Sequence, residues 1–263
     1  MRLLFIGDIV GGPGVGIVRK TVPLLRASER LDLVVANAEN AANGAGLTPS
    51  LYRQLRSAGV DAVTLGDHIY KKLDIEGVLR LAHEPIVKPA NFPPLAPGQD
   101  HCVVSAADGT RVAVLSLLGR TYMKPVDCPF AAADRVLAAL PPDVRIILVD
   151  IHAEATADKY LMAHHLKGRV SAVLGTHTHV PTADEQILGG TAFICDVGMT
   201  GPYESILGRR TDRVLSAAVT GVPIPFDVAT GDVRLAGAIV EVDSESGKAT
   251  AIRRAMWKEE ESK

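Results

Sequence analysis

The chain has 263 residues, enough for one large α/β domain or two small ones. Apolar residues make up 47 % of it, so a sizeable core is within reach. Lys and Arg number 28 against 30 Asp and Glu, a formal charge of −2, which argues against a general nucleic-acid or anionic-membrane surface while leaving room for a nucleotide in a local site. The first apolar run, Leu3–Ile6, is too short for a secretory signal and meets Asp8 at once. It reads instead as a strand. The Gly-rich stretch Gly11–Gly16 then reads as a tight loop before a helical segment, Ile17–Leu25. Its spacing is not G-x-G-x-x-G, and Pro13 lacks an amide proton.

Further strand-length runs follow at Leu33–Ala36, Ala62–Leu65, Val112–Leu117, Ile146–Val149, Val170–Leu174 and Ala192–Cys195. They are continuous Val/Ile/Leu/Ala runs, the pattern of strands buried on both faces. Between them, Thr48-Pro49 is an N-cap and first-turn pair for a helix that Gly59 stops. Pro89–Pro97 reads as a surface loop. Ala131–Leu140 and Thr156–Leu166 read as helices. Leu235–Val242 and Thr250–Arg254 flank Ser244–Gly247 as an antiparallel hairpin, and Trp257–Lys263 reads as a frayed, charged end. The expectation is a single domain over residues 1–263, with a mixed sheet or two packed sheets flanked by helices. No run approaches transmembrane length. Cys102, Cys128 and Cys195 are odd in number and widely spaced, so a cytoplasmic protein with reduced thiols is expected.

Polar residues gather where these strands stop. Asp8 follows the first, Glu39 and Asn40 the second, Asp67 and His68 the third, His152 the fifth, and Thr176-His177-Thr178-His179 the sixth. In an extended segment, His177 and His179 would project to the same side. Carboxylates and imidazoles collected at the strand ends of an α/β sheet suit Mn, Fe or Zn better than Ca or Mg alone. A bridging carboxylate would bring two such ions within about 4 Å. Asp150 is expected to face away from His152 and to be structural. His83, His101, His164 and His165 are read as hydrogen-bonded structural residues. The run Arg209–Arg213 reads as a solvated face, with nucleotide steering as the alternative.

The Gly7-Asp8, Gly66-Asp67-His68 and Gly175-Thr176-His177-Thr178-His179 motifs resemble those of the calcineurin-like metallophosphoesterase superfamily. With Gly7–Gly11, Ala36–Asn40 and Asp196–Tyr203 added, the likeness is to its YmdB-type bacterial 2′,3′-cyclic-nucleotide 2′-phosphodiesterases. It spans nearly the whole chain. The resemblance implies a four-layer α/β/β/α sandwich. It implies two transition-metal ions, Fe or Mn with Zn or Mg as alternatives. One would be held by Asp8, Glu39, Asn40 and His179. Glu39 would bridge to a second, held by Asp67, His152 and His177. His68 would be the protonated histidine near the leaving group, and a bridging hydroxide the nucleophile. The substrate would be a cyclic nucleotide or another small phosphoester, and the protein a dimeric or tetrameric homo-oligomer. A broad phosphomonoesterase or 5′-nucleotidase, and a metal-retaining regulatory protein, are the alternatives. Two positions depart from the superfamily pattern. No histidine follows Asp8 in a D-x-H, and Asp67 stands where Asn is usual.

Overall fold

The computed structural model describes residues 1–259. β1 (Arg2–Ile6) and β2 (Asp8–Ile9) lead into α1 (Gly11–Ser28). β3 (Leu33–Asn37), α2 (Pro49–Ser57), β4 (Ala62–Thr64), the short α3 (Glu76–Leu79) and β5 (Ile86–Val87) follow. Next come β6 (His101–Ser105), β7 (Arg111–Leu118), α4 (Pro129–Ala139), β8 (Ile146–His152), α5 (Thr156–Leu166), β9 (Ala172–Thr176), β10 (Gln186–Leu188) and β11 (Thr191–Ile194). The chain then returns through β12 (Met199–Pro202), α6 (Thr211–Thr220) and the hairpin of β13 (Val233–Val242) and β14 (Ala249–Lys258).

Two sheets result. The first has the order β2-β12-β13-β1-β3-β4-β5, with β14 also on β13; the second has the order β10-β11-β9-β8-β7-β6. In the first, β1, β3, β4 and β5 run parallel. In the second, β7, β8, β9 and β11 run parallel. Apolar strands with no polar face must bury both sides, and successive side chains take opposite ones. On β1, Leu4 and Ile6 join a core shared with α1 and α2, while Leu3 and Phe5 join a second core. On β7, Val112 and Val114 meet that second core, while Ala113, Leu115 and Leu117 pack with α4 and α5. The layers are therefore helix, sheet, sheet, helix, with the middle core formed by both sheets. This is the expected α/β/β/α sandwich.

The predicted runs are all present, within a few residues at each end. Thr48 caps α2 as expected: its Oγ1 accepts from Leu51 N at 3.3 Å, with Pro49 in the first turn. Three expectations change. The stretch from Gly11 to Gly16 is the opening of α1, not a loop, and a Cβ on Gly14 would lie 2.3 Å from Thr200 O, so the glycine lets α1 sit against β12. Within Pro89–Pro97, Pro89, Ala90 and Asn91 are buried. The Asn91 side chain accepts from Leu118 N at 2.8 Å and donates to Leu118 O at 2.9 Å, so only the tip, Pro93–Leu95, is a surface loop. Trp257 and Lys258 complete β14, Trp257 opposite Leu235, rather than fraying. The rest of that predicted tail, residues 260–263, lies outside the described residues. No helix among the described residues is long and apolar enough to cross a membrane.

Candidate metal centre

The parallel strands of both sheets end on one side of the sandwich. Asp8 lies in β2. Glu39 and Asn40 follow β3 and Asp67 and His68 follow β4, all from the first sheet. His152 is the last residue of β8, and His177 and His179 follow β9, all from the second. The eight residues predicted from sequence meet there. Asp8, Glu39 and His152 are wholly buried.

They form two groups, which meet where the Asn40 amide nitrogen touches Glu39. In the first, ligand atoms of Glu39, Asp67, His152 and His177 all lie within 4.8 Å of one another, a set that could hold a metal ion. His152 Nε2 is 3.2 Å from Glu39 Oε1, 3.3 Å from Asp67 Oδ1 and 3.0 Å from His177 Nδ1. In the second, His179 Nε2 is 3.9 Å from Asp8 Oδ1 and 3.2 Å from Asn40 Nδ2, and that amide nitrogen is 3.3 Å from Glu39 Oε1. Asn40 thus turns its nitrogen to the cluster, and its Oδ1 lies 2.8 Å from His68 Nδ1. A ligand role for Asn40 requires the amide to turn over. Gly66 keeps the space open: a Cβ there would lie 2.4 Å from both Glu39 Oε2 and the His152 ring.

The charges fit a cation. Burial works against an ionised Glu39, but the His152 charge and hydrogen bond overcome it and hold the carboxyl below its ordinary range. The same balance holds Asp67 well below its ordinary range, with His68 and His177 also helping. Burial opposes a charged His152, yet Glu39, Asp67 and Asp8 prevail and raise it well above the usual imidazole value. His177 is lowered, first by burial and then by the charge of His152. A proton on His152 would be the positive charge that offsets the neighbouring acidic groups. Asp8 Oδ1 is buried and has no hydrogen-bond partner. An acceptor-only oxygen without a donor, in a nest of carboxylates and imidazoles, suits a metal ion that displaces that proton.

The histidines do not lie on an extended segment. β9 ends at Thr176, and His177 and His179 have φ of 96° and 66°. These left-handed turns send the two rings to different groups. Between them, Thr178 is gripped by Asp196, whose Oδ2 accepts from Thr178 N at 3.1 Å, Thr178 Oγ1 at 2.6 Å and buried Lys159 Nζ at 2.8 Å. His179 Nδ1 lies 3.1 Å from Leu207 O, and His177 Nε2 lies 3.2 Å from Glu154 Oε2. Asp150 does not face away from His152. Residues two apart on a strand share a face, and Asp150 stands behind the cluster, wholly buried, its carboxyl pushed up to about 6 by burial. Asn37, Thr176, Glu154 and Asp196 carried no separate signal as functional residues. Asp150 carried one in its position two before His152.

The remaining polar candidates lie elsewhere. Arg209 is not simply solvated, since Nη1 donates to Asn43 O at 2.9 Å and Phe226 O at 3.0 Å. Arg210 pairs with Asp212 at 2.8 Å. His165 Nε2 lies 3.0 Å from Asp134, His101 sits in β6, and His83 and His164 are exposed. The cysteines are free, and burial pushes Cys102 up to about 12 and Cys195 up to about 11.

Comparison with known proteins identifies the family. The YmdB-like protein family profile matches residues 4–255. A Bacillus subtilis (strain 168) protein named 2′,3′-cyclic-nucleotide 2′-phosphodiesterase is 43 % identical over 257 residues, 97 % of each chain. A Thermus thermophilus protein of known structure superposes with a TM-score of 0.91 at 43 % identity, covering 98 % of this chain and 99 % of that one. A Mycoplasma pneumoniae protein described as a novel phosphatase superposes with a TM-score of 0.90 at 30 % identity, covering 98 % of this chain and 93 % of that one. With the profile spanning nearly every residue, and two sheets delivering carboxylates and imidazoles to one point, the chain belongs to the YmdB-like protein family.

Proposed function

We propose that this chain is a two-metal phosphodiesterase that opens 2′,3′-cyclic nucleotides at the 2′ ester. One observation carries the reading: Glu39, Asp67, His152 and His177 converge as a set of potential ligands, and beside them the buried Asp8 Oδ1 has no hydrogen-bond partner. Likeness to the Bacillus subtilis enzyme over 97 % of both chains supports the substrate class. Asp8, Glu39, His179 and a turned Asn40 would hold one ion, and Glu39, Asp67, His152 and His177 the other. Mixed oxygen and imidazole donors favour Fe or Mn, with Zn or Mg as weaker alternatives. When bound, such ions polarise the phosphate and acidify water.

The chain's own residues do the rest. Glu39 Oε2 accepts from His68 N at 2.9 Å and so ties the His68 backbone to the shared carboxylate. The His68 ring is partly exposed; Nδ1 meets Asn40 Oδ1 only before that amide turns over, and Nε2 lies 3.7 Å from Asp67 Oδ2. Its role in this reading would be to give a proton from Nε2 to the departing 2′ oxygen. We read residues 1–263 as one domain of a cytoplasmic homo-oligomer, a dimer or tetramer. The uncovered helix α6 is in keeping with an oligomer: it has no buried residue, and Leu215 and Val219 are exposed. Light scattering giving a monomer mass would refute that part.

The test of function is product analysis on 2′,3′-cyclic nucleotides, with metal content measured on the same sample. The expected products are 3′-monophosphates, with weaker action on 3′,5′-cyclic nucleotides and simple monoesters. Cleavage of monoesters alone would favour the phosphatase reading, in line with the description of the Mycoplasma pneumoniae relative.

A further inference from the structure

Beneath the cluster, three polar side chains from both sheets meet at one buried carboxylate. Asp150 of β8 has Oδ1 2.6 Å from Thr176 Oγ1, and its Oδ2 is 2.6 Å from Thr64 Oγ1 and 2.9 Å from Asn37 Nδ2. Thr176 ends β9 in the second sheet, while Asn37 and Thr64 end β3 and β4 in the first. Asp150 and the three side chains that donate to it are all fully or almost fully buried. A knot of this kind would be expensive in an apolar layer if any member lacked a partner. Here every donor has one.

The knot reaches the metal cluster at two points. Thr176 Oγ1 is 2.8 Å from His152 Nδ1. A threonine hydroxyl has one proton, and this one goes to Asp150, so the oxygen must accept from the imidazole. His152 Nδ1–H therefore donates to Thr176, and Nε2 is left for the centre, where it faces Glu39 and Asp67. Asn37 Nδ2 is 3.4 Å from the same Nδ1 but closer to Asp150 Oδ2. Its other end, Oδ1, accepts from Glu39 N at 3.1 Å. The same knot thus holds the main chain of the shared carboxylate from one sheet and the ring of His152 from the other.

We propose that Asp150, acting through Thr176, is a positioning residue that fixes the tautomer and direction of His152 for metal binding. The inference rests on the two-metal reading above. Partners of this kind behind a ligating histidine contribute roughly 10- to 100-fold to metal affinity.

The experiment uses zinc alone, titrated against a competing chelator, so that no substrate enters. Thr176→Val keeps the shape of the side chain and removes its hydroxyl. It is expected to weaken zinc retention by roughly 10- to 100-fold, while Thr176→Ser restores it. Asp150→Asn is expected to fall between them, because an amide still offers one acceptor. Nitrogen-15 NMR of zinc-loaded wild-type protein gives a second readout that needs no variant to fold: His152 should carry its proton on Nδ1 and its zinc on Nε2. Wild-type retention in Thr176→Val, a serine variant as weak as the valine variant, or zinc on Nδ1 would each overturn the inference and leave the metal reading standing. Wild-type protein that takes up no zinc, iron or manganese would overturn that reading, and this inference with it.

Discussion

The two sheets contribute different chemistry to one site. The first supplies Asp8, Glu39, Asn40, Asp67 and His68, and so nearly all of its charge. The second supplies His152, His177 and His179. Their supports differ accordingly. Two of the three acids are held by main-chain groups: Asp8 Oδ2 accepts from His177 N at 3.0 Å and Glu39 Oε2 from His68 N at 2.9 Å. Each imidazole instead has a partner on its far nitrogen, Thr176 for His152, Glu154 for His177 and the Leu207 carbonyl for His179. A carboxylate attracts a cation from many directions, so it needs charge and a place. A neutral ring offers one lone pair along one line, so it needs a fixed tautomer and direction.

This contrast can be broken from either sheet. On the acidic side the largest effect is expected at Glu39. Glu39→Gln keeps the shape and removes the charge that both ions would share. Both ions should be lost, and turnover should fall on the order of 10³-fold, equivalent to about 4 kcal/mol. Metal analysis by mass spectrometry checks the cause, and a variant that kept both ions would show that Glu39 is not shared. On the imidazole side the matching lesion is Lys159→Met. It strands the buried Asp196 carboxylate that holds Thr178 between the two histidines. Removing one partner of a buried pair costs about 3–5 kcal/mol. Urea unfolding of the chelated protein should show that loss, and saturating metal should recover part of it. An unchanged midpoint would mean that Lys159 can be spared.

The same contrast explains what could be read before the fold was known. The sandwich was legible because its strands are short apolar runs without a polar face, as at Leu33–Ala36 and Ile146–Val149. The candidate site residues were legible because each stands at the end of such a run. β2, β5, β10 and β12 were not, since they have two to four residues and lack a run of their own. Nor was α6, none of whose residues is buried. The supports were hidden for another reason. Thr176 pairs with Asp150, and Thr178 with Asp196, 26 and 18 residues away in sequence. Nothing in the local pattern of a threonine says that its hydroxyl will bind a distant acid. The geometry of His177 and His179 was misjudged because an H-x-H pattern does not reveal left-handed backbone.

His68 stands apart from both sets, belonging to the first sheet by position and to the second by chemistry. His68→Ala should lower turnover by roughly 100-fold, the scale of one acid–base group, and leave metal content unchanged. His177→Ala should lose metal together with activity. Equal metal loss in the two variants would make His68 a ligand rather than an acid.

The smallest expected effect is at Asp67, where the chain has an acid in place of the usual Asn. An anionic oxygen retains a hard cation more firmly than an amide oxygen does, but it also offsets positive charge that polarises phosphate and acidifies water. Asp67→Asn should therefore lose metal sooner under chelation. With metal in excess, its turnover should hold or rise and its pH profile should move to lower pH. Without metal the sign can be followed separately. Burial opposes the Asp67 charge, but the hydrogen bond and charge of His152, then His68 and His177, hold the folded pKa below the unfolded one. The ionised group thus stabilises the chelated protein above the unfolded value of about 4, and that contribution fades as pH falls through the folded value. The chelated Asn variant should accordingly unfold more easily than wild type at neutral pH, with the gap closing in acid. Unfolding midpoints measured at neutral and acid pH in chelator test this directly. A gap that stayed constant would detach Asp67 from the imidazoles, and unchanged chelator sensitivity would detach it from the metal.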